Sequence, residues 1–130
     1  MKFKFYLASL LFLTLTISCK KQEKKTDVKY FNYSGTYNSL LNKNGISIGQ
    51  LIIKQSNNTE INFEIITGTQ SGCTGELKGI AKFNAEGIAN HKSIDCKNLT
   101  FKFKNNLITL EEKNCDMHGI KCSFAGTYKK

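Results

Sequence analysis

The cysteines and histidines are the residues of this chain whose types and spacing could support chemistry. The five cysteines are Cys19, Cys73, Cys96, Cys115 and Cys122. The run Cys115-x2-His118-x3-Cys122 combines thiols with an imidazole, and zinc and copper accept both kinds of ligand. The same thiols could instead pair as disulfides, and an oxidising compartment favours that interpretation.

Polar residues near the cysteines are candidates for binding rather than for catalysis. Asp95 and Asp116 each adjoin a cysteine, whereas no serine stands in a nucleophile elbow and no glycine loop is of the phosphate-binding type. His118 precedes Gly119 and is far from His91, the other histidine, which predicts a solvated turn residue. We therefore predict a protein without enzymatic activity, metal or cofactor, with a candidate binding rim formed by Asp95, Asp116, His118 and Lys121.

A predicted hairpin fixes the positions of two cysteines. Residues 99–103 alternate apolar and polar side chains, which predicts a strand with one buried face. Asn105-Asn106 then forms the turn, because asparagine tolerates the left-handed backbone of tight hairpins. Opposed residue numbers sum to 211 in this register, so Cys96 faces Cys115. Opposed β-carbons lie about 4.5–5.5 Å apart, which is close to what a disulfide needs.

A second turn leaves two disulfide connectivities open. A hairpin centred on His118-Gly119 makes opposed numbers sum to 237, which also places Cys115 opposite Cys122. The surviving sets are Cys96–Cys115 with Cys73–Cys122, or Cys115–Cys122 with Cys73–Cys96. We favour the first set, because it closes a loop around a well-registered hairpin and joins an early strand to the last one.

The chain from Tyr30 onward contains short strands separated by turn residues at intervals of roughly ten, a spacing typical of all-β barrels and sandwiches. If Leu51 and Ile53 share a face with the 61–65 strand, opposed numbers sum to 114 and the loop carries a bulge. We count eight strands, each hairpin-linked to the next. Closure removes the two free edges of such a meander, so we predict an all-β, eight-stranded antiparallel meander closed into a small barrel.

A repeated tripeptide supports closure of the barrel. Gly35-Thr36-Tyr37 recurs as Gly126-Thr127-Tyr128, and we expect the two copies to be neighbours at one rim. Strand directions place four cysteines at the opposite rim, namely Cys73, Cys96, Cys115 and Cys122. One end of the barrel is then expected to face the N-terminal tether, while the cross-linked end projects outward.

Composition favours one small domain that does not bind nucleic acid. The chain has 130 residues, no proline and 40% hydrophobic residues, enough for a single modest core. The net charge is +9, but every positive side chain is lysine. Nucleic-acid recognition favours the bidentate fork of arginine, so the basic character indicates a solvated surface.

The N-terminus has the features of a secretion leader. Two lysines precede the apolar run Phe5 to Ile17, which is too short to span roughly 30 Å of hydrocarbon. The run ends at Thr16-Ile17-Ser18-Cys19, and a hydrophilic segment begins at Lys20. This leader resembles that of bacterial lipoproteins. The resemblance implies cleavage before Cys19 and attachment of acyl chains such as palmitate to Cys19, which would anchor the protein in a membrane.

The lipoprotein resemblance also implies a domain organisation and a location. Residues 1–18 would be the signal peptide, 19–29 the lipidated cysteine with a flexible tether, and 30–130 the β-barrel domain. Lys20 differs from the aspartate that retains such proteins in the inner membrane, and no acidic cluster of the surface-export type follows. We therefore expect an outer-membrane anchor and a domain that faces the periplasm.

The mature domain resembles the lysozyme-inhibitor lipoproteins in size, leader, strand count and cysteines. That family inserts a loop into the catalytic cleft of a muramidase, which implies a periplasmic or incoming lysozyme-like hydrolase as the partner. The alternative is a small apolar-ligand carrier of the lipocalin or calycin type, because Gly35-Thr36-Tyr37 is similar to the first-strand motif of lipocalins. A third possibility is a structural envelope lipoprotein.

Overall fold

The computed structural model describes residues 31–40 and 47–130. Throughout those ranges the protein is all-β and contains no helix. The predicted leader, Cys19 and the tether lie outside the described residues. The strands are β1 (Gly35–Ser39), β2 (Ser47–Gln55), β3 (Glu60–Thr69), β4 (Thr74–Phe83), β5 (Ala89–His91), β6 (Cys96–Lys104), β7 (Leu107–Cys115) and β8 (Gly126–Lys129).

The eight strands form one closed antiparallel barrel in chain order, which confirms the predicted fold class. Each strand pairs with the next, and β1 pairs with β8 through Asn38 opposite Lys129 and Ser39 opposite Tyr128. Closure leaves neither β1 nor β8 as a free edge. Among the described residues, none belongs to a helix that is apolar and long enough to cross a bilayer.

The β6–β7 hairpin has the predicted register. Phe101 lies opposite Leu110 and Cys96 lies opposite Cys115, so opposed numbers sum to 211. Asn105 has a φ of 55°, the left-handed conformation that asparagine accepts at a tight turn. Apolar alternation and turn chemistry agree here, which is why the sequence determines the register.

The β2–β3 register differs from the prediction by two residues. Ile53 pairs with Phe63 and Leu51 pairs with Ile65, so opposed numbers sum to 116 rather than 114. A shift of two residues keeps the same side chains buried, because side chains alternate faces with a period of two. Asn57 explains the actual turn: its Oδ1 accepts hydrogen bonds from the N–H groups of Thr59 and Glu60.

The predicted hairpin at His118-Gly119 is wrong. Leu110 pairs with Gly126 and Ile108 with Tyr128, so the β7–β8 numbers sum to 236 and residues 116–125 form a long connection. An odd sum would have set inward-facing residues of β7 opposite outward-facing residues of β8. The observed register places Tyr128, which is buried, against Ile108 in the core.

The repeated tripeptide occurs at opposite ends of the β1–β8 pair rather than at one rim. In both copies the glycine has a positive φ, 153° at Gly35 and 151° at Gly126, which favours glycine. In both copies the tyrosine hydroxyl donates to a carbonyl four residues earlier, Tyr37 to Tyr33 and Tyr128 to Phe124. The repeat is therefore one local motif used twice, once near each end of the barrel.

Side chains fill the interior of the described barrel. The largest fully buried side chains include Tyr128, Phe101, Phe124, Leu51, Ile53, Ile61, Ile65, Leu99, Ile108 and Leu110. Tyr33, Phe83 and Phe103 are partly buried and pack against this cluster. The aromatic rings meet in tilted contacts, such as Phe63 and Phe101 with centroids 4.9 Å apart.

The barrel has two ends of different construction. We call the end where β1 begins the near rim; it includes the turns 56–59, 84–88 and 105–106. We call the opposite end the far rim; its described connections are 70–73, 92–95 and 116–125. The chain enters the barrel from its N-terminal segment at the near rim.

Candidate functional site

Two disulfides cross-link the far rim. Cys73 bonds Cys122 and Cys96 bonds Cys115, which confirms the favoured connectivity and the predicted placement of all four cysteines at one end. The thiols of the Cys115-x2-His118-x3-Cys122 run thus belong to two different bridges. Among the described residues, no three histidine, cysteine or acidic side chains are placed to share a metal ion.

The 116–125 connection crosses the far rim and adds a partial pairing to β4. His118 forms an isolated antiparallel bridge with Gly75. The N–H of Glu76 donates to the Met117 carbonyl at 3.2 Å, and the N–H of Gly119 donates to the Thr74 carbonyl at 3.2 Å. With the Cys73–Cys122 bridge, these contacts fix the start of the connection against β4 and not against β8.

Phe124, on the far-rim connection, is part of the hydrophobic core of the barrel. Its side chain is completely buried, and the His118 ring meets it edge-on with centroids 4.9 Å apart. The Thr67 hydroxyl donates to the Ser123 carbonyl at 3.1 Å, while the Tyr128 hydroxyl donates to the Phe124 carbonyl at 2.9 Å. The C-terminal half of the 116–125 connection therefore packs against the interior of the barrel.

The Glu112 carboxylate organises this connection. Ser123 Oγ donates to its Oε1 at 2.5 Å, and the N–H of Phe124 donates to its Oε2 at 3.1 Å. His118 Nε2 lies 3.2 Å from each carboxylate oxygen. The side chains of Glu112 and His118 are only 15% and 12% exposed, so this carboxylate is held by charge-assisted contacts in a desolvated position.

His118 is not the solvated turn residue that the sequence predicts. Its Nδ1 lies 3.0 Å from the Gly119 carbonyl oxygen, and its Nε2 contacts Glu112. Both ring nitrogens thus contact oxygen atoms of the far rim, one of the backbone and the other of a side chain. His118 is a structural element of the far rim rather than a side chain presented to a partner.

The pKa of Tyr128 responds to the same surroundings. Burial raises this pKa well above its ordinary value of 10.0, and the nearby Glu112 carboxylate raises it further. The hydroxyl therefore stays protonated and continues to donate to the Phe124 carbonyl. The far rim thus has a network of buried polar groups whose hydrogen bonds run between the connection and the barrel wall.

The other predicted rim residues lie on two loops that contact each other. The N–H of Asp116 donates to the Asp95 carbonyl at 2.7 Å, which joins the 92–95 connection to the 116–125 connection. The side chains of Asp95, Asp116 and Lys121 are all exposed. The structure thus brings the predicted residues to one end, and it assigns an internal role to His118 alone.

Large apolar side chains project from these two loops. Ile94 is 98% exposed and Ile120 is fully exposed, while Met117 is 39% exposed. Ile94 lies two residues before Cys96, and Ile120 lies two residues before Cys122. Each isoleucine is therefore held close to a disulfide, and neither contributes to the core.

A cleft opens in the barrel wall beside these loops. β5 is three residues long and pairs with β4 only at Lys82 and Phe83, so residues 76–81 of β4 have no strand partner on that side. The resulting cleft has a volume of about 420 Å³. Its lining consists of Glu76, Leu77, Lys78, His91, Ser93, Asp95 and Met117.

His91 lines the inner part of this cleft in the barrel wall. Its ring lies against Gly79, where a β-carbon would come within 2.6 Å of Cε1, so glycine is required there. Nδ1 lies 2.9 Å from the Ile80 carbonyl oxygen, which accepts, so this nitrogen donates. Nε2 is buried and has no hydrogen-bond partner among the described residues.

Sequence reasoning missed three contributors to this site. Glu112 could have been identified, because the 211 register places it opposite Leu99 on the apolar face, where a carboxylate needs partners. Ser123 and Phe124 carried no such signal, since their roles depend on the long connection that replaced the predicted hairpin. His91 likewise depends on the short length of β5.

Comparison with protein-family models, with curated proteins and with solved structures returned no match to this chain. The function of the far rim must therefore be inferred from its own residues. It combines two disulfides, a buried carboxylate network, a cleft rich in acceptor groups and two exposed isoleucines.

Proposed function

We propose that this chain is a lipid-anchored, non-enzymatic binding module of the bacterial envelope, whose far rim binds a protein. The proposed partner is a lysozyme-type peptidoglycan hydrolase, which the 116–125 connection would block. The lipid on Cys19 would hold the barrel at the outer membrane with the far rim directed into the periplasm.

The observation that carries this proposal is the exposure of Ile94 and Ile120 on loops fixed beside disulfides. An exposed isoleucine outside the core can stabilise a complex, because a protein partner that covers it removes its apolar surface from water. The 92–95 loop adjoins the Cys96–Cys115 bridge, and the 116–125 connection is held by the Cys73–Cys122 bridge and by Glu112. Binding would therefore lose little conformational entropy, as effective inhibitor loops require.

The cleft beside these loops suits hydrogen-bond donors of the partner. Glu76 and Asp95 supply carboxylates to the lining of the cleft. Lys78 is the cationic member of the lining, and it already contacts Glu76 at 2.9 Å. Lysine and arginine side chains of a basic hydrolase are the groups that such a lining would accept.

The apolar-carrier alternative receives less support. Lipocalin-type carriers need an open interior, whereas the described barrel is occupied by buried side chains such as Phe101, Phe124 and Tyr128. Five of the seven residues that line the cleft in the barrel wall are polar or charged, and three of them are Glu76, Lys78 and Asp95. For these reasons we place the binding function at the rim rather than inside the barrel.

A turbidity assay tests the inhibitor proposal. The purified protein should slow the loss of turbidity of a peptidoglycan suspension by at least one class of lysozyme. Ile120→Asp should relieve this inhibition at least tenfold, because it places a charge in the apolar contact. Phe31→Asp, the matched change at the near rim, should leave inhibition unchanged. Lack of effect on every class, or equal loss in both variants, contradicts the proposal.

The anchor has a separate test. Replacing Cys19 by alanine in the producing cell should prevent lipid attachment, and the barrel should no longer partition with detergent-extracted membrane lipoproteins. Metabolic labelling with a radioactive fatty acid should mark the wild-type chain and not the variant. Labelling of the Cys19→Ala chain would contradict the assignment of the anchor.

A further inference from the structure

The excess positive charge of the described barrel lies at its near rim. The described residues include 11 lysines and 8 acidic side chains. The near rim carries Lys54, Lys82, Lys104, Lys129 and Lys130 with Glu60 and Glu86. The far rim carries Lys92, Lys97, Lys113 and Lys121 with Glu76, Asp95, Glu112 and Asp116. The far rim is therefore neutral in side-chain charge, whereas the near rim has a net charge of +3.

The charged residues between the two rims, two lysines and two glutamates, contribute no net charge. Lys78 contacts Glu64 at 3.2 Å, and Lys102 contacts Glu111 at 2.6 Å. These four residues complete the described set, so the whole surplus of three positive charges belongs to one end of the barrel. The distribution is a dipole along the barrel axis rather than a uniformly basic surface.

Three of the near-rim lysines converge on one turn. Lys104 directly precedes the Asn105-Asn106 turn, and Lys129 lies opposite Leu107 at its other side. The N–H of Lys130 donates to the Asn106 carbonyl at 3.1 Å. All three side chains are exposed, so they form a concentrated basic patch.

An aromatic stack adjoins this basic patch. Phe31 is 55% exposed and stacks on Tyr33 with ring centroids 6.2 Å apart. Tyr33 in turn stacks on Phe103 at 4.1 Å. Lys130 Nζ donates to the Ser34 carbonyl at 2.7 Å, which places this ammonium group next to the stack. Exposed aromatic rings among lysines are the composition of surfaces that settle at a lipid headgroup layer.

The sequence that precedes the barrel at this rim is also rich in lysine. Residues 20–29 contain five lysines and two acidic residues. Positive charge thus continues from the near rim into the N-terminal segment, whereas the described residues of the far rim are neutral and the sequence between β1 and β2 adds one lysine, Lys43.

We propose that the near rim docks on a membrane surface that contains anionic phospholipids. Lysines supply long-range attraction to the headgroups, and Phe31 enters the interfacial layer. This interaction uses side chains of the folded barrel, so it does not require the acyl chains on Cys19 or the hydrolase partner. Docking of this kind orients the barrel, with the far rim directed away from the membrane.

Vesicle sedimentation tests the docking. The mature chain from residue 19 with Cys19→Ser retains all eight strands and carries no acyl chain. It should bind vesicles of phosphatidylglycerol and phosphatidylcholine, should not bind phosphatidylcholine alone, and should dissociate as salt is raised. Equal binding to both kinds of vesicle, or no binding to the anionic ones at low salt, overturns the proposal.

Matched lysine pairs separate the near rim from general positive charge. Replacing Lys104 and Lys129 by glutamine should weaken binding about twenty-five-fold, at roughly fivefold for each lysine near the surface. Replacing Lys92 and Lys97 at the far rim removes the same charge and should change binding less than about twofold. Lys54 and Lys82 form a second near-rim pair, in case the first fails to fold. Equal losses from the two rims, or tighter binding to an acidic protein or nucleic acid than to anionic vesicles, overturn the assignment.

Discussion

The two rims of this barrel are built from different chemistry. Near-rim turns are short and depend on asparagine: Asn57, Asn84 and Asn105 each shape one of them. The far rim has a ten-residue connection from 116 to 125, held by two disulfides and the Glu112 carboxylate. A long connection has no local signal that fixes its path, so covalent and buried polar bonds replace turn chemistry.

This difference indicates where the molecule has freedom to bind. A turn of two to four residues has few side chains to spare, and the near rim presents mostly lysines on its strands. A long connection that is fixed by other means can expose residues such as Ile120 without loss of order. The proposed partner-binding loop is therefore the part of the barrel that carries the heaviest cross-linking.

Removing the disulfides should have the largest effect on stability, and the two bridges should differ. The Cys73–Cys122 bridge spans 49 residues and Cys96–Cys115 spans 19. Chain-entropy loss in the unfolded state predicts about 4 kcal/mol for the first and about 3 kcal/mol for the second. Alanine replacement of each pair, followed by urea unfolding, measures both free energies. A greater loss from the shorter bridge would contradict this account.

Glu112→Ala should cause the next largest loss in the free energy of unfolding. The substitution removes the acceptor for Ser123 Oγ and for the N–H of Phe124 and leaves His118 without its partner, at an expected cost of about 3 kcal/mol. Glu112→Gln keeps one acceptor oxygen and should cost about half as much. Glu86→Ala at the near rim is the matched control, and its effect should stay within about 0.5 kcal/mol. Equal effects at the two rims would refute the role of the buried carboxylate.

The two copies of the tyrosine motif permit a direct comparison between the ends. Tyr128→Phe leaves a buried carbonyl without its donor and should cost about 2 kcal/mol, whereas Tyr37→Phe, whose bond is partly exposed, should cost about 1 kcal/mol. Urea midpoints for the two single variants provide the measurement. Equal costs would show that the two hydroxyls are equally desolvated.

The raised pKa of Tyr128 adds a pH dependence with a defined sign. The folded protein holds this proton more tightly than the unfolded chain, where the pKa is near 10.0. This contribution to stability is constant below about pH 10 and decreases above it, because only the unfolded chain then releases the proton. Between about pH 10 and 11.5 the free energy of unfolding should fall more steeply for the wild type than for Tyr128→Phe. Parallel slopes would contradict the assigned burial.

The near-rim asparagines should show the smallest effects. Asn57 Oδ1 accepts from two N–H groups and from the Thr59 hydroxyl, and Asn84 Oδ1 accepts from the N–H groups of Glu86 and Ile88. Alanine at either position should cost about 1 kcal/mol, with Asn57 the more sensitive, because these bonds are exposed to water. Thermal unfolding of the two variants gives the order. A loss as large as that from Glu112→Ala would remove the contrast between the rims.

The sequence predicts the strands and one hairpin well, for a physical reason. Between 99 and 110 the apolar alternation and the asparagine turn select the same register, and that register also aligns Cys96 with Cys115. Barrel closure follows from eight hairpin-linked strands, because a meander of that length has two edges to pair. The same reasoning leaves two disulfide sets open, and the favoured one is the set that forms.

The remaining features depend on contacts that are distant in sequence. A two-residue turn at His118-Gly119 has local support, but it would set inward residues of β7 against outward residues of β8, so tertiary packing overrides it. The burial of His118 follows from Glu112 and Phe124, whose arrangement exists only after the connection has folded across the rim. The wall gap at His91 follows from the early end of β5, for which the sequence contains no breaker.

Amide hydrogen exchange with and without a lysozyme-type hydrolase tests the central claim most directly. The claim is that the far rim is the protein-binding end of the barrel. At saturating concentrations of an inhibited hydrolase, amides in 92–96 and 116–123 should gain protection, while those in the near-rim turns 56–59 and 84–88 should exchange as before. Protection centred on the near-rim turns, or no protection with any class of hydrolase, would contradict the account.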